Sequence, residues 1–249
     1  MLLSVFTKQL PVIGALITSA SCHGFVQFIV ANGKNYTGWD PGFRFQNPPP
    51  SIPGWTADNP DIGFVSPESF ANPDIICHKA ATPGQAYVDV TAGSTLTLQW
   101  FTWPDSHKGP IIDYLADCGT AGCAEAKKES LKFVKIAQAS WKSGNDWASD
   151  DLIRNQFKWQ VKIPATLKSG HYVLRHEIIA LHGASNVDGA QAYPQCINLH
   201  VTGAGSKSIS GGVPATKFYK ENDPGILFNI YGEITSYPVP GPSSIWTGS

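Results

Sequence analysis

The chain reads as an all-β protein, on three observations. Two stretches alternate strictly between apolar and polar residues. In STLTLQW, Leu96, Leu98 and Trp100 alternate with Thr95, Thr97 and Gln99. In FKWQVKI, Phe157, Trp159, Val161 and Ile163 alternate with Lys158, Gln160 and Lys162. Period two puts one set on a core and the other in water. Second, runs rich in β-branched and aromatic residues recur between Gly- and Pro-containing turns. Third, no long segment has a 3.6-residue period. Together these predict an antiparallel β-sandwich of immunoglobulin or fibronectin-III type, with long loops and short helices.

The chain opens MLLSVFTKQLPVIGALITSASC, with one positive charge at Lys8, an apolar run from Leu10 to Ile17, and small residues after it. That is the build of a secretory signal peptide, too short to span a membrane. The five cysteines are Cys22, Cys77, Cys118, Cys123 and Cys196. Cleavage after Cys22 leaves an even number for disulfides in an oxidising compartment and places Ala20 and Cys22 at the small −3 and −1 positions. A lipoprotein reading, with Cys22 acylated, has Ser19 where an aliphatic residue is expected. The expected organisation is a leader over 1–22 and a single β-sandwich domain over 23–249, with no appended second module. The product is expected to be secreted, extracellular and monomeric.

Loss of Lys8 takes the formal charge from −1 to −2, and only 15% of residues are charged. This excludes the basic footprint of a nucleic-acid binder. No segment has the apolar length of a membrane span. A partner is therefore expected to be neutral, or recognised by shape and aromatic contact.

Further strands are expected in GFVQFIV, AYVDVT, KFVKIA, HYVLRHEIIAL, CINLHV and ILFNIY, and a short helix in WASDDLIR at 147–154. Residues 41–76 lack periodicity; a connection that long is functional or disordered, and its Phe and Trp content argues for order. The sequon Asn35-Tyr36-Thr37 marks Asn35 as a glycosylation candidate on a surface loop.

If the mature chain starts at His23, its α-amine and ring Nδ1 can close a chelate ring on a metal. The amine loses its proton readily, with a pKa of ~7.7–8.0. A second histidine would supply a third nitrogen, and a tetragonal nitrogen set favours Cu(II). Of the other six histidines, His107 lies in the turn FTWPDSHKGP, where a loop presents a ligand at a sandwich end. His176 and His182 share one strand face but stand ~20 Å apart along it, so both cannot serve one metal. His182, beside Gly183, is the better placed. His78, His171, His176 and His200 read as exposed or hydrogen-bonded residues. In GAQAYPQC, Gln191 and Tyr193 face the same way on an extended segment. Tyr193 can offer a weak oxygen ligand, or be an ordinary core tyrosine.

In order along the chain, HGFVQ, WPDSHKGP, DCGTAGCA, GHYVLRHEIIALHGA, GAQAYPQCINLHVTG and YPVPGPSSIWTG resemble the fungal copper-dependent lytic polysaccharide monooxygenases, auxiliary-activity family nine, once filed as glycoside hydrolase family sixty-one. The resemblance covers essentially all of residues 23–249. It implies a histidine brace in which His23 and His107 hold one copper and Tyr193 lies on its axis. It further implies His182 and Gln191 as the pair that positions and protonates a bound oxygen species, and disulfides Cys77–Cys196 and Cys118–Cys123. By family position, Tyr237 is the aromatic that stacks on sugar. The implied activity is oxidative cleavage of cellulose or a related β-glucan at C1, C4 or both. It needs an external electron donor and dioxygen or hydrogen peroxide. Two rivals remain: a non-catalytic polysaccharide- or copper-binding sandwich, and an endoglucanase. The latter needs two carboxylates ~5–10 Å apart, and the spacing of Asp105, Asp113 and Glu177 marks no such pair.

Overall fold

The computed structural model describes residues 23–248; the expected leader over 1–22 and its expected cleavage point lie outside the described residues. Nine strands form two sheets. One has the order β2 (Lys34–Thr37), β1 (Val26–Ala31), β4 (Thr95–Trp100), β7 (Lys158–Lys162). The other has the order β3 (Val88–Thr91), β9 (Gln191–Thr202), β8 (Gly170–Ala180), β5 (Ile111–Asp117), β6 (Phe133–Ala139). This is the expected β-sandwich. One pairing departs from the antiparallel expectation: edge strand β3 runs parallel to β9.

The alternating strands behave as their pattern requires. Leu96, Leu98 and Trp100 of β4 and Val161 of β7 are fully buried between the sheets, against Leu174 and Ile178 of β8 and Leu199 of β9. Each such side chain contributes roughly 1.5–3 kcal/mol of burial free energy. A second apolar cluster lies on the outer face of the five-stranded sheet, where Trp55, Val65, Phe70, Trp147, Phe218 and Ile226 pack on Ile112, Val173 and Ile179. The five-stranded sheet is therefore covered on both faces along much of its length.

That double burial explains a strand the sequence pattern does not reveal. In β5 every residue but Asp117 is buried, so the period-two signal vanishes. Strand β2 also goes unforeseen. It follows an Asn32-Gly33 turn with φ of 49° and 74°, the left-handed pair that a tight hairpin needs. Asn35 sits exposed on this edge strand rather than in a loop.

ILFNIY is not a strand. The Ile226 and Leu227 amides both donate to Asp223 O, at 2.8 and 3.0 Å, closing a turn after Pro224-Gly225. Its apolar residues serve the outer cluster instead, with Ile226 and Ile230 buried. The helix α2 (Ala148–Arg154) forms as expected, and a shorter one, α1, spans Asp74–Cys77. Residues 41–76 are an ordered cover for β9: Trp55 N–H donates to Cys196 O at 2.9 Å, and Val65 and Ala192 exchange bonds of 2.9 and 3.0 Å. The disulfide Cys77–Cys196 ties α1 to β9, and Cys118–Cys123 closes a short loop after β5. Both pairings are those the resemblance implies.

Candidate metal centre

Four chain segments meet at one end of the sandwich. His23 enters β1, His107 lies in the β4–β5 connection, His182 follows β8, and Gln191 and Tyr193 open β9. The antiparallel register sets Ala180 opposite Gln191 and Ile178 opposite Tyr193, so the end of β8 and the start of β9 arrive together.

Two glycines make the convergence possible. A Cβ on Gly24 would lie 2.0 Å from Thr102 O, and one on Gly109 would lie 1.8 Å from Ile179 O. Either contact would push His23 or the His107 turn away from its place. The His107 turn is then fastened on several sides. Leu181 N–H donates to Lys108 O at 2.8 Å, and Trp103 Nε1–H donates to His107 O at 2.9 Å. Gly109 N–H donates to Ser149 Oγ at 3.0 Å, and Lys108 pairs with Asp150 of α2.

The rings sit close. The His23 centroid is 5.4 Å from that of His107 and 5.6 Å from that of Tyr193. His107 and His182 are 4.0 Å apart, centroid to centroid. Phe64 and Trp103 wall the group, Phe64 at 6.1 Å from His23 and Trp103 at 4.9 Å from Tyr193. Tyr193 O–H donates to Gln191 Oε1 at 2.7 Å, so the two residues share a face as their spacing requires.

The donor set fits a metal. His107 is buried, yet its Nε2 has no hydrogen-bond partner. A buried nitrogen without a partner is costly unless something else meets it. Ser106 Oγ lies 3.1 Å from His107 Nδ1 and can accept its proton, which leaves Nε2 as the basic atom. Burial, with His182 and His23 beside it, holds the His107 ring down to about 3, so it is neutral at any ordinary pH. Burial also lowers His23, offset by the Asp61 carboxylate, and it lowers His182, helped by His23. Neutral imidazoles are the form that binds metal.

The remaining histidines have other work. His176 is fully buried between the sheets, where Trp100 Nε1–H donates to its Nε2 at 3.0 Å. Indole only donates, so the imidazole proton is on Nδ1 and goes to Asp113 Oδ1 at 2.6 Å. His78 Nε2–H donates to Gly63 O at 2.9 Å, and Lys79 N–H donates to its Nδ1 at 2.8 Å. His171 and His200 stack on the sheet's outer face. Asp105, Asp113 and Glu177 form no hydrolytic pair. Asp105 is exposed, Asp113 serves His176 and Trp159, and Glu177 is buried against Arg175 at 2.6 and 2.8 Å.

Tyr237 is partly buried. Its ring packs edge-on to Trp147 at 4.9 Å and Phe228 at 5.0 Å, and its hydroxyl donates to Gly225 O at 2.6 Å. Sequence reasoning overlooks Tyr231. It is 72% exposed, and its hydroxyl donates to His182 O at 3.0 Å. It lies in ILFNIY, expected as a strand, and the available signal was an aromatic directly before Gly232.

Residues 23–237 match the model of Auxiliary Activity family 9 (formerly GH61). A relative from Malbranchea cinnamomea, AA9 family lytic polysaccharide monooxygenase F, is 54% identical over 94% of this chain and 95% of its own. Monooxygenase H of the same family from Thermothelomyces thermophilus is 52% identical over 93% of this chain and 68% of its own. Among solved structures, Cel61B from Hypocrea jecorina, a glycoside hydrolase family 61 member, superposes with a TM-score of 0.86 at 44% identity, covering 90% of this chain and all of that one. The extended catalytic domain of H. jecorina LPMO9A gives 0.85 at 47% identity, covering 91% and 94%. With two neutral imidazoles facing one another at a sandwich end and a family match along nearly the whole described chain, the protein belongs to auxiliary activity family 9, the copper-dependent lytic polysaccharide monooxygenases.

Proposed function

We propose that the mature chain begins at His23 and is a secreted enzyme acting on cellulose or a related β-glucan, with oxidation at C1, C4 or both. His23, through its α-amine and Nδ1, and His107, through Nε2, would hold one copper, with the Tyr193 oxygen as a further donor. The observation that carries this reading is the buried, unpartnered Nε2 of His107, whose ring lies 5.4 Å from that of His23. Bound there, copper would supply one-electron oxidation chemistry, with an external electron donor and dioxygen or hydrogen peroxide as the co-reactants.

The protein's own residues supply position and protons. Ser106 orients the His107 ring. Phe64 and Trp103 exclude water from the inner side. His182, 4.0 Å from His107, is placed to donate a hydrogen bond from its ring to an oxygen co-substrate. Gln191 holds the Tyr193 hydroxyl proton and steadies that ring. Tyr231, with Tyr237, stacks on the sugar.

The test is product analysis by mass spectrometry after incubation of the copper-loaded, correctly processed protein with cellulose and a small-molecule reductant. Oxidised oligosaccharides that depend on the reductant support the reading. Plain oligosaccharides released without reductant would make it a hydrolase, and no release with retained adsorption would make it a binding module.

A further inference from the structure

The outer face of the five-stranded sheet carries a second group of metal-ligand side chains. His171 of β8 stands opposite His200 of β9, and His200 stands beside Asp89 of β3. Neighbouring strands lie ~4.8 Å apart, so the three side chains form a row across three strands. The two imidazoles stack with centroids 5.2 Å apart and planes inclined by 27°. Asp89 Oδ1 is 2.9 Å from His200 Nδ1. A carboxylate there keeps the proton on Nδ1 and leaves Nε2 as the basic nitrogen, the arrangement found behind metal-binding histidines. Tyr87 packs on His171 at 4.9 Å and limits its ring from one side. The row is open to solvent, with side-chain exposures of 43% for His200 and 53% for Asp89.

This row is remote from the centre already described. It lies nine residues along β8 and β9 from the Ala180–Gln191 end, ~30 Å at strand rise. Nothing in the proposed chemistry uses it.

We propose that His171 and His200 form a second, weaker site for one divalent transition-metal ion, Cu(II) or Zn(II), with Asp89 as the carboxylate behind His200. Two metal–nitrogen bonds of ~2.0–2.1 Å need ring nitrogens within about 4 Å of each other. Rings 5.2 Å apart between centroids reach that by small rotations of exposed side chains. Imidazole selects copper, zinc and nickel over calcium and magnesium, which take oxygen ligands. Among the described residues, no group of three or more His, Cys, Asp or Glu converges on one point. Two protein nitrogens therefore bind, water completes the sphere, and the affinity falls below that of the chelate at His23.

The test is a Cu(II) titration of the metal-free mature protein, followed by calorimetry and by NMR of the histidine ring protons. Two equivalents are expected, the weaker one broadening the His171 and His200 signals. The double variant H171Q/H200Q should bind one equivalent. D89N should weaken the second by about tenfold and leave the first unchanged. His107→Ala should remove the first and keep the second, which separates failure of this proposal from failure of the main centre. A single equivalent in the unaltered protein, or a second that persists unchanged in H171Q/H200Q, would overturn it.

Discussion

His107 and His176 are both buried histidines, and they show what separates a ligand from a core residue. Both ring nitrogens of His176 are spoken for, one by Trp100 and one by Asp113. His107 has one nitrogen against Ser106 and one with nothing. The sheets fix this difference. His176 sits mid-strand, where neighbours approach from both sheets, whereas His107 sits in a turn at the sandwich end. Between these two histidines, burial does not mark the ligand; the unmet lone pair does.

The largest expected effect breaks that comparison at His107. His107→Ala should abolish reductant-dependent cleavage. It should also cost more copper affinity than the ~10–100-fold typical of residues behind a ligand, with little change in melting temperature. His176→Ala should do the reverse, leaving copper affinity intact and costing about 3 kcal/mol through the stranded Asp113 and Trp100 groups. Calorimetric copper titration beside thermal unfolding distinguishes them. Equal loss of copper in both variants would end the distinction.

A second buried polar group tests whether charge inside the fold always means chemistry. Arg175 and Glu177 are fully buried, and Arg175 also donates to Ile75 O and Ile76 O at 2.8 Å each. Glu177→Gln should destabilise by about 3–5 kcal/mol, the cost of leaving a buried charge unpaired. It should not alter the copper spectrum, as judged by chemical denaturation and electron paramagnetic resonance on the same variant.

His78 sharpens the comparison through pH. Burial pushes its ring down to about 4, against ~6.5 unfolded. Above pH 6.5 it is neutral in both states. Between about 6.5 and 4 the unfolded chain binds the extra proton, so stability falls as pH falls, by about 3 kcal/mol across that window. His78→Gln should flatten this part of the stability profile in urea unfolding at stepped pH. The smallest effect belongs to the surface. Tyr231→Ala should weaken cellulose adsorption several-fold and leave the copper spectrum unchanged, measured by pull-down on microcrystalline cellulose. A shifted spectrum would show that the Tyr231 bond to His182 O supports the centre itself.

Much of this was legible in the sequence where one face meets water. The alternation in β4 and β7 gave their inward faces residue by residue, and the Gln191–Tyr193 spacing foretold a shared face. β5 was lost because both of its faces are covered, and β2 was lost although it lies exposed at a sheet edge. β5 carries no alternation because the outer cluster buries its second side. ILFNIY looked like a strand because its apolar residues were needed by that same cluster, in a turn. The motif segments named the site residues, but no spacing could say that His107 would come within 4.0 Å of His182. That contact depends on Gly109 lying against Ile179 O across the sheet.

In the proposed centre, His23 and His107 hold copper through a free chain terminus. Its most direct test is electron paramagnetic resonance of the Cu(II)-loaded secreted protein, with the N-terminus established by mass on the same sample, beside a form that retains one residue before His23. An axial spectrum from one tightly bound copper is expected in the chain that starts at His23, with severe loss of that signal in the extended form. Equal spectra from the two forms, or no tightly bound copper on a chain that starts at His23, would contradict it.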